Sequence, residues 1–375
     1  MKWFIISCLL GVFSLGLIMV FDTSSAEVLD RSLSYGTHKA LIKQIIYVVI
    51  GLLVAAVIRL VGWKDVVGAS PLILSISVAF LVLVLIPGVG ICRNGARRWL
   101  GIGHLTVQPS EFIKYLVPLA CIEKLSTRSV ASFAQFLRLA SFLCLPIFLI
   151  AIEPDNGSAA VIACSLVPIF FLSSLKVRYW LIPLSIVVIL GGGAAYRLPY
   201  VRNRIYVYLH PEVDLKGRGH QPHQAKIAAG SGRLLGKGLG SSLQKLTYLP
   251  EAQNDYIAAI FAEEFGFLGM LLLILLYLLF IYGGYYIAMT SRSEKGAHVA
   301  ISITFLIAIQ AFLNLAVVSG LLPSKGVNLP FFSQGGSSLI ANICGVTLLL
   351  KVYEDENKKS YPCNRRNGRT RYPCS

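Results

Sequence analysis

A single carboxylate, Asp255, stands where a long polar segment runs into a hydrophobic one, in GSGRLLGKGLGSSLQKLTYLPEAQNDYIAAIFAEEFGF, residues 230–267. Lys237, Lys245 and Glu251 precede it in the same stretch. Lysines and backbone N–H groups in a glycine-rich loop suit phosphate. A carboxylate among them, beside so much apolar sequence, suits a polar ligand that is itself anchored in lipid. The glycine spacing does not make a nucleotide loop: Gly230 and Gly232 are wrongly placed before Gly236-Lys237, and Gly238 stands where Ser or Thr is required.

Other polar groups invite the same question. Arg97, Arg98 and Trp99 follow Arg93 in one short segment, and TVQPSEFIKY opens the next apolar run. Pro109 suits a first helical position, and Glu111 complements the positive helix end. Glu111 and Lys114 are three apart, so they share a face and can pair. A snorkelling lysine is the ordinary alternative; ionisable groups turned toward a cavity are the functional one. Asn254-Asp255 likewise fits a plain helix N-cap. Glu263 and Glu264 are adjacent on the helix that follows, and the two cannot comfortably both face lipid. In LLPSKGVNLPFFSQGGSSLIANICG, residues 321–345, prolines and paired glycines break a helix and leave Ser333, Ser337 and Ser338 there, an arrangement tolerated where it lines a cavity.

The elements that must hold these groups are membrane helices. Hydrophobic residues make up 55% of the 375 and charged ones 14%, with a mean hydropathy of +0.70, outside the soluble range. Apolar runs near 3–21, 41–61, 70–91, 108–125, 136–152, 158–175, 178–196, 256–286, 298–320 and 331–353 predict about ten spans of the ~30 Å hydrocarbon layer. The expected architecture is an all-α integral membrane domain over 1–353, with a large extracytoplasmic loop, 197–255, between helices 7 and 8. A basic cytoplasmic tail, 354–375, follows. The first run resembles a signal sequence, but one Lys before so long an apolar stretch favours a retained helix.

Lys64, Lys124, Arg128, Lys176, Arg178, Arg292 and Lys295 fall in even-numbered loops, which puts both termini in the cytoplasm. The net charge of +16 is dispersed over loops and tail, so no nucleic-acid partner is expected; anionic membrane lipid suits the tail. The 8 cysteines show neither a disulfide framework nor a zinc spacing. With ten spans, the segments holding Arg97 to Trp99, Glu153 to Asn156, Asp255 and Lys325 all emerge on the outer face. Four polar loops should therefore converge.

The blocks NGARRW (94–99), QPSEFIK (108–114), EPDNGS (153–158), GKGLGSSLQKLTYLPEAQND (236–255), AEEFGFLG (262–269) and LPSKGVNLPFFSQGGSS (322–338) resemble, in order, those of the SEDS family of bacterial cell-wall polymerases. Asn94-Gly95, Gln244-Lys245-Leu246 and Ser324-Lys325-Gly326 resemble its division branch more than its elongation branch. The resemblance implies a peptidoglycan glycosyltransferase of the inner membrane, acting at the division septum on lipid II and undecaprenyl-diphosphate-linked glycan. It implies as partners a class B penicillin-binding transpeptidase and other division proteins.

It also implies an essential acid at Asp255 and contributions from Trp99, Glu111 and Lys114. Asp255 would then act as general base, with Arg97, Arg98, Lys114, Lys237 and Lys245 neutralising the departing diphosphate. Glu251 and Ser337 are further substrate-binding candidates. No cofactor is required by this reading. A divalent cation remains open, with Asp255 and Glu251 as either ligands or diphosphate neighbours. The chain departs from the family pattern at Gln253-Asn254-Asp255-Tyr256, Asn156, Ser158 and Gln334, all without loss of the acid. A lipid II transporter and a non-catalytic division scaffold are the rival functions.

Overall fold

The computed structural model describes residues 1–31, 39–93, 96–102, 105–128, 130–173, 175–197, 199–209, 220–242, 244–247, 254–323 and 326–358. Three helices, α1 (Lys2–Arg31), α2 (Lys39–Val61) and α3 (Trp63–Leu85), lead into strands β1 (Ile91–Arg93), β2 (Ala96–Ile102) and β3 (Leu105–Val107). Then come α4 (Pro109–Thr127), α5 (Phe133–Ile152), α6 (Asn156–Leu172) and α7 (Val177–Arg197). The polar segment carries α8 (Pro199–Leu209), α9 (His220–Ser231) and α10 (Gln244–Thr247), before α11 (Ile257–Thr290), α12 (Glu294–Val318) and α13 (Gly336–Lys358).

Every one of the apolar runs holds a helix, and 7 of these, among the described residues, are long and apolar enough to cross a membrane. The other three are α4, α6 and α7. At 17 residues, α6 is short, and α4 carries Glu111, Lys114, Glu123 and Lys124 along a helix buried over most of its length. The protein is a multi-pass membrane protein. Burial sorts its helices: 61% and 67% of the spanning windows of α12 and α13 are buried, against 22–33% for the other candidate spans. The two late helices, with α4, are therefore the interior, and apolar side chains such as Leu60, Phe148 and Leu272 point outward, where a bilayer is their solvent.

The third run is displaced from its expected 70–91. Gly62, at φ 97, ends α2 and lets α3 begin at Trp63, and the helix stops at Leu85 before a turn through Pro87 and Gly88. The released residues form a small antiparallel sheet, β1-β2-β3, with Cys92 opposite Arg97 and Leu100 opposite Val107. This is an addition to the helical bundle that the sequence did not announce.

The even-numbered loops share one face. Glu354 near the end of α13 takes ion pairs from Lys2 and Arg59, Glu123 at the end of α4 pairs with Lys295, and Glu356 accepts from Arg292 N and Ser293 Oγ. The sheet, α8 to α10 and the starts of α6 and α11 belong to the other face.

Candidate active site

Asp255 lies in the turn before α11, whose N-cap residue is Tyr256 and not Asp255; the Tyr256 side chain makes no capping bond. The carboxylate abuts the segment 326–335. A Cβ on Gly326 would stand 3.2 Å from Asp255 Oδ2, so a glycine there leaves the acid its room. From α12, Asn314 Nδ2 donates to Asp255 O at 3.0 Å and to Val327 O at 2.8 Å. The start of α6 reaches the same place, since a Cβ on Gly157 would lie 2.9 Å from Val327 Cγ2 and 3.5 Å from Gly326 O. Three polar segments thus meet within a few side chains of Asp255.

The sheet supplies the fourth. Arg98 on β2 donates from Nε to Glu153 O at 2.9 Å and from Nη2 to Pro154 O at 2.5 Å, gripping the turn between α5 and α6 with its planar fork. Asp155, buried, caps α6 by accepting from Ser158 N and also accepts from Gln108 Nε2 at 3.2 Å. Ser337 Oγ, at the start of α13, accepts from Gln108 N at 2.9 Å, and Tyr47 on α2 bonds Thr106 on β3. Glu153 is 1% exposed and, among the described residues, neither carboxylate oxygen has a hydrogen-bond partner. Burial, with Asp155's charge adding and Arg98's opposing, pushes its carboxyl up to about 8.

Below this layer, Lys114 Nζ meets Glu111 Oε1 at 2.6 Å, with both side chains buried. Tyr115 OH donates to Asn342 Oδ1 on α13 at 2.6 Å. The spacing of Glu111 and Lys114 anticipated this pair, and the pair faces the bundle interior.

The glycine-rich segment behaves differently from a phosphate cradle. Gly266 breaks α11 with φ 65, ψ −163, and the chain at 232–238 fills the break. Lys237 N and Gly238 N donate to Glu263 O and Glu264 O, while Phe267 N and Leu268 N donate to Arg233 O and Leu234 O. The loop's N–H groups that phosphate would have used at 237 and 238 belong to a helix. Close backbone approach, not anion binding, is why glycines are needed at 232 and 236: a Cβ there would fall 2.0 Å from Ala262 O or 2.1 Å from Glu264 O.

Both glutamates are consequently buried, covered by the loop. Lys237 pairs with Glu263 at 2.6 Å, and Lys245 with Glu264 at 2.7 Å and with Asp22 on α1 at 2.6 Å. Ser242 bonds both glutamates, through Oγ to Glu263 Oε2 and N to Glu264 Oε1. Lys237 and Lys245 therefore serve the acids of α11 and α1, a role their position in a polar loop did not suggest.

The chain as a whole is similar to known proteins. The sequence profile of the FtsW/RodA/SpoVE family, described as "Cell cycle protein", matches residues 2–358. The chain belongs to this family. A "Probable peptidoglycan glycosyltransferase FtsW" of Thioalkalivibrio sulfidiphilus is 37% identical over 355 residues, covering 92% of this chain and 88% of the relative. "Stage V sporulation protein E" of Bacillus subtilis is 37% identical over 347 residues, 90% of this chain and 93% of that one. Among solved structures, a chain from "Structural coordination of polymerization and crosslinking by a peptidoglycan synthase complex" aligns with a TM-score of 0.77 at 26% identity, covering 94% of this chain and 98% of its own. The rod shape determining protein RodA of Thermus thermophilus aligns with a TM-score of 0.68 at 25% identity, covering 94% and 97%.

Within this FtsW/RodA/SpoVE fold, the residues singled out by sequence divide into groups. Arg98, Asp155, Ser337 and Asp255 stand around the meeting of the loops; Arg97 is exposed on β2 and Trp99 half-buried. Glu111 and Lys114 lie beneath. Glu251 and Lys325 fall outside the described residues. Sequence reasoning passed over Gln108 and Asn314. The signal for Asn314 was present, as an amide near the end of a largely apolar run is expensive in a membrane unless it is used. Among the described residues, no group of three or more His, Cys, Asp or Glu side chains gathers in the manner of a metal site.

Proposed function

We propose that the protein polymerises lipid II into glycan strands at the outer face of the cytoplasmic membrane, during division, with both termini in the cytoplasm. The observation that carries this is the convergence of β2, the α5–α6 turn and the segment 326–335 on Asp255 at one end of the bundle. A carboxylate so placed takes the proton from the C4 hydroxyl of an incoming lipid-linked disaccharide as its oxygen attacks the anomeric carbon of the growing strand. The bond from that carbon to phosphate breaks, and undecaprenyl diphosphate leaves with the bonding pair. A diphosphate needs charge neutralisation more than a proton. Arg97, exposed on β2, is the candidate for it, while Arg98 holds the neighbouring turn and Lys114 with Glu111 sets the field beneath. Trp99, Ser337 and Glu251 complete the proposed substrate contacts. The likeness to a synthase complex that both polymerises and crosslinks supports a class B transpeptidase as partner.

The test is polymerisation of fluorescent lipid II by the purified protein, alone and with its transpeptidase. Strands from wild type, and a fall of ~10²- to 10⁴-fold in Asp255→Asn, are expected. Equal rates in both would remove Asp255 from the reaction. No strands from a folded, partner-bound wild type would shift the assignment to transport or scaffolding.

A further inference from the structure

Asn314 is 2% exposed, near the end of α12 and one helical turn beyond the buried Gln310. Its amide hydrogens go to two carbonyls, Asp255 O at 3.0 Å and Val327 O at 2.8 Å. One primary amide carries two such hydrogens, so the donor capacity is fully used on two separate chain segments. Among the described residues its Oδ1 has no hydrogen-bond partner. Turning the amide over would set that oxygen against both carbonyls, so the donors' orientation follows from the chemistry of the partners.

The two carbonyls belong to irregular backbone at the site. Asp255 sits in a turn outside the helical ladder of α11, and Val327 in the extended stretch beside Gly326. Asp255 lies two residues before the first residue of α11, and a Cβ on Gly326, whose next residue the same amide secures, would stand 3.2 Å from Asp255 Oδ2. A single rigid helix therefore sets the position of the acid and of the wall it faces.

We propose that Asn314 is a positioning residue for Asp255, acting through the two main-chain carbonyls to hold the acid at a fixed distance from segment 326–335. This rests on the reading of Asp255 as the general base. Misplacement of a reacting group by about 1 Å costs up to ~10²-fold in rate. Loss of the amide should therefore lower kcat about 10- to 100-fold while leaving KM for lipid II within about twofold, because ground-state binding does not use the amide.

The experiment measures kcat and KM for lipid II polymerisation by the complex with its transpeptidase, for wild type, Asn314→Ala and Asn314→Ser, per folded and partner-bound molecule. Asp255→Asn is run in parallel. The expected result is the split just described in both Asn314 variants. Wild-type kcat in either variant, a loss confined to KM, or failure of both variants to accumulate as folded protein would overturn it; the last would assign Asn314 to folding alone. If wild type is active and Asp255→Asn is not, failure of the Asn314 variants to show the split refutes this inference only. If Asp255→Asn matches wild type, the underlying reading fails instead.

Discussion

Gly236 and Gly266 meet backbone to backbone: a Cβ on Gly266 would lie 2.3 Å from Gly236 N, and both residues hold positive φ, 80 and 65. A membrane-spanning helix is broken there, and a loop from earlier in the chain supplies the missing hydrogen bonds. Gly266→Ala should cost about 1–3 kcal/mol from the backbone conformation alone, before any clash. A lower unfolding midpoint in detergent and exposure of 232–245 to protease are expected; an unchanged midpoint would show that the break needs no glycine.

Lys245 holds two acids, the half-buried Asp22 and the buried Glu264, from helices far apart in sequence. Its side chain is 4% exposed and that of Glu264 0%, so truncating the lysine strands charge rather than merely losing a contact. Lys245→Met should destabilise by about 3–5 kcal/mol, and the double change with Glu264→Gln should recover part of this. A double variant as unstable as the sum of the two singles would mean that the groups do not act as a unit.

Glu153 gives a pH dependence of definite sign. Its carboxyl is raised from 4.5 to about 8 in the folded protein, so its contribution to stability is present in full below the lower value. That contribution is lost as pH rises through the upper one. Glu153→Gln carries no such proton. Its melting temperature should gain on wild type steadily across that interval and run parallel to it on either side. Parallel curves throughout would mean that Glu153 titrates normally.

Arg98 grips Glu153 O and Pro154 O with two different nitrogens, a geometry that lysine cannot copy. Arg98→Lys should keep the charge yet lower polymerisation about tenfold, since loss of one hydrogen bond at about 1.4 kcal/mol corresponds to that factor. Wild-type rates in Arg98→Lys would leave charge as the whole of its role.

Much of this was legible in the chain. Apolar runs long enough to span a membrane are read from composition, and each contains a helix. The Glu111–Lys114 pair follows from a spacing of three on one helix. What escaped depends on contacts distant in sequence: Lys245 and Asp22 are 223 positions apart, and no local pattern joins them. The break at Gly266 lies inside the run 256–286, where neither the glycine nor Glu263 and Glu264 before it names the loop that will pair with it. The sheet was hidden because its strands are short and bear arginines, so neither length nor alternation stands out. Asp255 was found, but its holder on α12 was not, since an asparagine within a span reveals its partners only in three dimensions.

Finally, α13 is the last described helix of the chain and packs against α2, near its beginning. It brings Ser337 to Gln108 and Glu354 to Lys2 and Arg59. During synthesis, α2 must wait in the bilayer without this partner until residues 336–358 have left the ribosome. A nascent chain that lacks its last described helix therefore lacks the contacts that seat Gln108 and cover α2.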